Sequence, residues 1–184
     1  GLPDDARELW LTNTSNARGA RAQKHMLVEE AKKVVERVAL LDTDRVGDET
    51  FAELIEATAH LAEVLDRPPS VRERGGLSAA GGDDAILTER SGISGRSNPL
   101  APPMEFLLDG DVTRGHATWC AAYEGPQDCL HGGFVAAAFD DLLGCAQMAS
   151  GIAGFTGTLT VKMIKPTPLC RRIDYAAGVG RTEG

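Results

Sequence analysis

The sequence predicts an α+β fold, with helices in the first third and strands gathered around one more helix in the last. Three observations carry this. Residues 20–41 and 50–65 repeat apolar side chains at helical spacing. From Met104 onward, short stretches alternate apolar and polar between Gly and Pro breaks. Within that half lies "CLHGGFVAAAFDDLLG", residues 129–144, apolar enough to be buried yet holding two adjacent carboxylates. Helices followed by a run of strands are the mark of an α+β arrangement. The chain divides into a helical extension (1–66), a linker (67–103) and a main domain (104–184).

The elements follow in order. In residues 20–41, Met26, Leu27, Ala31, Val34, Val35, Val38 and Leu41 form the apolar stripe, with mixed charges opposite. In the second helix, Phe51, Leu54, Ile55, Thr58, Ala62 and Leu65 do the same, and Pro68-Pro69 end it. Thr50 and Glu53 suit a capping box at its start. The two are expected to form a hairpin packed on the main domain or on a neighbouring subunit. Residues 67–103 are rich in Gly, Pro and Ser and have no hydrophobic period. They read as a linker or mobile loop, in part disordered or draped over a cleft. No Gly-Lys-Ser/Thr follows their glycines, so they are no phosphate loop.

"MEFLL", a turn at Asp109-Gly110 and "VTRGHATWCAAY" predict a β-hairpin, with Ala117, Trp119, Ala121 and Tyr123 on one face. A helix is expected from about Gly133 to Ser150. Residues 156–164, "TGTLTVKMI", alternate as a strand with Leu159, Val161 and Met163 on one face. "LCRRIDYAAGV" reads as a further strand.

The chain has 184 residues and a net charge of −8, from 27 acidic and 19 basic residues. That balance argues against a nucleic-acid surface, though not against a local basic patch for a phosphorylated ligand. No apolar run is long enough to span a bilayer. "GLPDDARELW" lacks the charged-then-apolar pattern of a signal sequence, and its first residue is Gly rather than Met, which reads as a cut or engineered start. Cys120, Cys129, Cys145 and Cys170 include no C-x-x-C pair and read as free thiols of a reducing cytoplasm. Neither His116 with Cys120 nor Cys129 with His131 has the spacing of a zinc site.

The helix at 133–150 carries the chemistry. Phe134, Val135, Phe139, Leu142 and Leu143 share about half its circumference. Asp140 falls opposite, among Ala136, Ala137, Gly144 and Gln147, where small residues let a ligand or backbone approach. Asp141 points towards Phe134, Cys145 and Met148. Asp140 is either a solvated surface carboxylate or a carboxylate in a cleft, where desolvation raises a pKa towards proton-transfer use. Gly132 and Gly133 open the helix, where backbone N–H groups lack partners and the dipole is positive. Without side chains to shield them, these donors make a seat for a carbonyl oxygen gaining charge. His131 orients this turn, bonds a ligand, or simply satisfies a local backbone group.

"GPQDCLHGGFVAAAFDDLLG" followed by "TGTLTVKMIKPTPL" resembles the hotdog-fold acyl-CoA thioesterases, phenylacetate-degradation type. The likeness covers about residues 104–184. In that family the helix begins at His-Gly-Gly and an acid lies nine positions after the His, here Asp140. A Thr opening the next strand matches Thr156, and a Pro after it matches Pro166. The resemblance implies a curved antiparallel sheet wrapped around a long central helix, and a homodimer or homotetramer with sites between subunits. It implies that Gly132 or Gly133 N–H polarises the thioester carbonyl and that Asp140 of a neighbouring subunit is general base or nucleophile. Thr156 then positions water or the carboxylate, coenzyme A leaves as thiolate, and neither metal nor cofactor is needed. Lys162, Lys165, Arg171 and Arg172 are candidates for the coenzyme's phosphates, though at least two of the four are expected to be ordinary solubilising charges. The family continues through two further long strands, whereas this chain stops at "RTEG", which predicts an unpaired sheet edge and a partly uncovered helix.

Two other readings keep the same residues: a non-catalytic module that binds or senses acyl-CoA, and a scaffold whose first helices recruit a partner. Release of free thiol separates the first from hydrolysis. Deleting residues 1–66 tests the second.

Overall fold

The computed structural model describes residues 17–74, 89–102, 104–151 and 154–180. Two helices come first, α1 (Gly19–Ala39) and α2 (Asp48–Leu65). Strands β1 (Met104–Asp109) and β2 (Val112–Thr118) form a hairpin, helix α3 (Gly132–Ala149) follows, and strand β3 (Arg172–Gly178) completes an antiparallel sheet of order β1-β2-β3. The hairpin turns on Gly110, whose φ of 62° is the left-handed value a two-residue turn asks of its first central residue.

The sheet alternates as a half-buried sheet must. Its outer face carries charge, with His116 Nε2 3.1 Å from Glu105 across the β1–β2 pair and Arg172 2.8 Å from Asp174. Its inner face has large residues on the flanking strands and small ones in the middle. Phe106 stands opposite Gly115, and Gly115 opposite Tyr175. A Cβ at Gly115 would lie 2.5 Å from the Phe106 ring, so only Gly fits there. The small residues of β2 leave a trough, and α3 lies in it through Ala138, Leu142, Cys145 and Ala146. Full burial of side chains such as Phe106 and Leu142 contributes roughly 1.5–3 kcal/mol each.

The buried stripe of α3 is rotated from the expected one. Leu142 is fully buried, but Leu143 is 41% exposed and Phe139 only half-buried. Bulk predicted the wrong centre because the trough accepts small side chains, Ala138 and Ala146, closest to the sheet. Asp140 is on the far side and exposed.

Other expectations are corrected. Residues 156–164 form no strand, since no other described strand lies beside them to share a ladder, and Phe155, Met163 and Ile164 stay exposed. Ala121 and Tyr123 do not extend β2 but lie in a 3-10 turn, Ala121–Tyr123. The capping box at Thr50 is absent: α2 starts at Asp48 after Gly47, with Asp48 and Glu49 placed favourably against the dipole. Helix α1 docks by His25 and Val28. Helix α2 buries no residue. Within the stretch read as linker, residues 89–102 are well packed. Glu89 accepts from Ser97 Oγ and meets His25 Nε2 at 2.6 Å, all three buried. No described helix is long and apolar enough to cross a membrane.

Candidate functional site

The start of α3 is fixed by three sets of contacts. The segment before it is tied sideways, Leu130 N–H donating to Thr167 O at 2.8 Å and His131 N–H to Tyr123 O at 3.0 Å. Beyond it, Leu169 N–H donates to Asp128 O and Cys170 N–H to Trp119 O. An aromatic cluster then grips the first turn. Tyr123 meets Trp119 edge-on at 5.2 Å and Phe134 edge-on at 4.9 Å. The Trp119 indole N–H donates to Tyr175 Oη at 2.9 Å, which satisfies a fully buried donor.

His131 is the N-cap. Its Nδ1 accepts from Gly133 N–H at 3.0 Å, which fixes the imidazole as the tautomer with its proton on Nε2 when neutral. That bond uses one of the two glycine donors. Gly132 N–H has no acceptor among the described residues. Of the two glycines it is also Gly132 that lines a cleft of about 410 Å³.

The floor of this cleft is apolar: Leu130, Val135, Phe139 and Val161. Lys162 and Lys165 stand at its rim, both exposed, and no acidic residue lines it. Met163 lies over Gly132, with Cε and Sδ 3.0 and 3.2 Å from where a Cβ would stand. The expected alternation of residues 156–164 is not seen here either, since Val161, Lys162, Met163 and Ile164 all line the cleft in succession. Sequence reasoning did not single out Met163, because nothing in one chain shows which residue an alternating segment sets against a helix end.

The remaining candidates are elsewhere. Asp140, Thr156, His131, Gly133 and Arg171 do not line the cleft, and Thr156 and Arg171 are exposed. No hydrogen bond joins Asp140 to Thr156 among the described residues. Asp141 behaves quite differently from its neighbour. It is half-buried and accepts from Ser91 Oγ at 3.3 Å. Burial lifts its carboxyl above the usual range, against the opposing pull of the Ser94 and Ser91 hydroxyls and with a smaller upward push from Asp140. The two adjacent acids therefore divide: Asp141 pins the 89–102 segment to α3, and Asp140, about 100° further round the helix, is exposed on the side away from the sheet with no hydrogen bond among the described residues. No group of three or more His, Cys, Asp or Glu able to hold a metal occurs among the described residues.

No protein-family model and no curated protein matches the chain. Among solved structures, the crystal structure of a thioesterase superfamily protein matches with a TM-score of 0.75, over 95% of this chain and 82% of that chain, at 24% identity. An identity so low speaks for architecture, and the chain has the α+β hotdog fold of that thioesterase-superfamily protein.

Proposed function

We propose that the protein hydrolyses acyl-CoA thioesters to free acid and coenzyme A. The observation that carries this is the unpaired Gly132 N–H at the positive end of α3, opening on an apolar cleft with a lysine rim. The acyl chain lies along Leu130, Val135 and Phe139, and its carbonyl oxygen takes the Gly132 N–H. As the carbonyl carbon is attacked, that oxygen gains charge, and a prepositioned donor stabilises it more than it stabilises the ground state. Lys162 and Lys165 meet the phosphates of the coenzyme. Arg172, engaged with Asp174, and Arg171, off the cleft, are left as solubilising charges.

The carboxylate comes from a second copy. Asp140 faces away from its own cleft, on the side of α3 where Ala136, Ala137 and Gly144 allow close approach. In a twofold dimer it reaches the partner's Gly132 and acts as general base for water, or as nucleophile, with Thr156 orienting the water or the carboxylate. Coenzyme A then leaves as its thiolate, which needs little acid assistance.

The test is release of free thiol from acyl-CoAs of graded length and aromatic acyl-CoAs, followed by complementation. Asp140→Asn and Gly132→Pro are each expected to be inactive. Mixed after unfolding and refolding together, they form heterodimers holding one intact site. Random pairing then restores about a quarter of native activity. Binding of acyl-CoA with no thiol released would identify a non-catalytic module instead. Lack of recovery in the mixture would show that the site lies within one chain.

A further inference from the structure

We infer that Met163 makes the cleft tolerant of a substituent on the acyl carbon next to the carbonyl, so that branched acyl-CoAs are substrates alongside straight ones. This rests on the thioesterase reading and narrows its substrate class. In a helix the Cα–Cβ bond leans towards the amino terminus, the end where the first N–H groups lie open. A group bound at the Gly132 N–H therefore sits beside the place where a Cβ would stand. Met163 Cε is 3.0 Å and Sδ 3.2 Å from that place. Apart from the helix backbone and the adjoining residues, no other described atom lies within 4 Å of it. A carbonyl oxygen about 2.9 Å from the Gly132 nitrogen puts its carbon about 4 Å away, with the next acyl carbon one bond further. The tip of Met163 is within about 5 Å of Gly132 Cα. It is the side chain that this acyl carbon and its substituents meet.

The walls of the cleft differ in how far they can yield. Leu130 is buried, and its N–H is tied to Thr167 O. Val135 and Phe139 are packed against the core from α3. These side chains are held in place and fix the course of the acyl chain. Met163 is 57% exposed, unbranched and free to turn about three bonds, so it moves aside for an extra methyl at little cost. Val161 and Ile164, which line the same cleft, are β-branched and stiff at χ1. A residue of their kind at 163 would stand as a fixed wall beside the carbonyl. In a fixed apolar pocket one methylene too many lowers turnover about 10- to 200-fold, and a flexible thioether removes most of that penalty.

The experiment takes the straight-chain acyl-CoA that the full chain hydrolyses fastest and its 2-methyl derivative, and compares kcat/KM for the two by release of free thiol. Both carry the same coenzyme, so any contact of Met163 with the thiol side cancels in the ratio of branched to straight. The native ratio is expected to be above about one-tenth. Met163→Ile, whose Cδ1 takes the place of Sδ on a stiff stem, should lower the ratio about tenfold or more. Met163→Ala, which clears the space, should leave it at or above the native value. A native ratio below about one-tenth, an isoleucine variant with the native ratio, or an alanine variant with a lower one would each overturn the inference. The ratio is internal to each preparation, so a variant that folds only in part still reports it. Thiol release from the straight substrate without release from the branched one overturns this inference alone. No release from any acyl-CoA overturns the hydrolase reading, and this inference with it.

Discussion

Replacing Gly132 by proline removes the backbone N–H hydrogen and adds a ring whose Cβ stands where a Cβ meets Met163 Cε at 3.0 Å. Gly132 is the first residue of α3, a position where proline is tolerated because the N–H has no helical acceptor and the ring's fixed φ suits a helix. The preceding residue, His131, has φ −60° and ψ 133°, the extended conformation a following proline requires. The fold should therefore survive, with stability changed by less than about 1 kcal/mol. The lost donor is the one proposed to meet the thioester oxygen. Gly133 offers no substitute, since its N–H is held by His131 Nδ1 at 3.0 Å. The expected loss is about 3–4 kcal/mol of barrier, a fall of roughly 10²–10³ in kcat. The assay is thiol release under saturating acyl-CoA, with circular dichroism to confirm the fold. Gly132→Ala is the control: it keeps the N–H and adds a Cβ 3.0 Å from Met163 Cε. Met163 is flexible and 57% exposed, so it can swing aside, and the alanine variant should stay within about tenfold of native. A folded proline variant with near-native turnover, or equal losses in the two variants, would refute a role for this N–H.

Two predictions concern stability. Tyr175→Phe removes the acceptor of the buried Trp119 N–H, and the chain should lose about 1–3 kcal/mol, read as a lower urea midpoint at unchanged slope. Asp141 has a carboxyl raised above its ordinary 3.8 by burial. The folded chain then holds that proton more tightly than the unfolded one. Stability from this group is greatest below the ordinary value and declines as pH rises through the interval up to the raised one. Asp141→Asn keeps an oxygen for Ser91 and removes the charge, so it should melt higher at neutral pH and lose that part of the pH dependence. A lower melting temperature at neutral pH would mean that Ser91 needs the ionised carboxylate.

The parts of this molecule legible in its sequence are those with local causes. The helix opening at His131-Gly132-Gly133, the hairpin at Gly110 and the outward side of Asp140 all follow from spacing, and all are present. What failed needed information from elsewhere in the chain. Both glycines were equal candidates until the imidazole of His131 took one N–H, a matter of side-chain rotation. The role of Asp141 rests on Ser91, separated by 50 residues. The buried stripe of α3 was misplaced because its centre is set by the trough over Gly115 and Ala117, not by the bulk of its own side chains. Residues 156–164 alternate as a strand does, but a strand exists only beside another.

Among the described residues, strand β3 is paired on one side only, with β2. Its other flank presents backbone donors and acceptors ready to template whatever extended chain drifts by. The charges of Arg172 and Asp174 guard its first half, while Ala176, Gly178 and Val179 leave the second half bare. A further extended segment, from this protein or from another chain, would therefore add along those few residues.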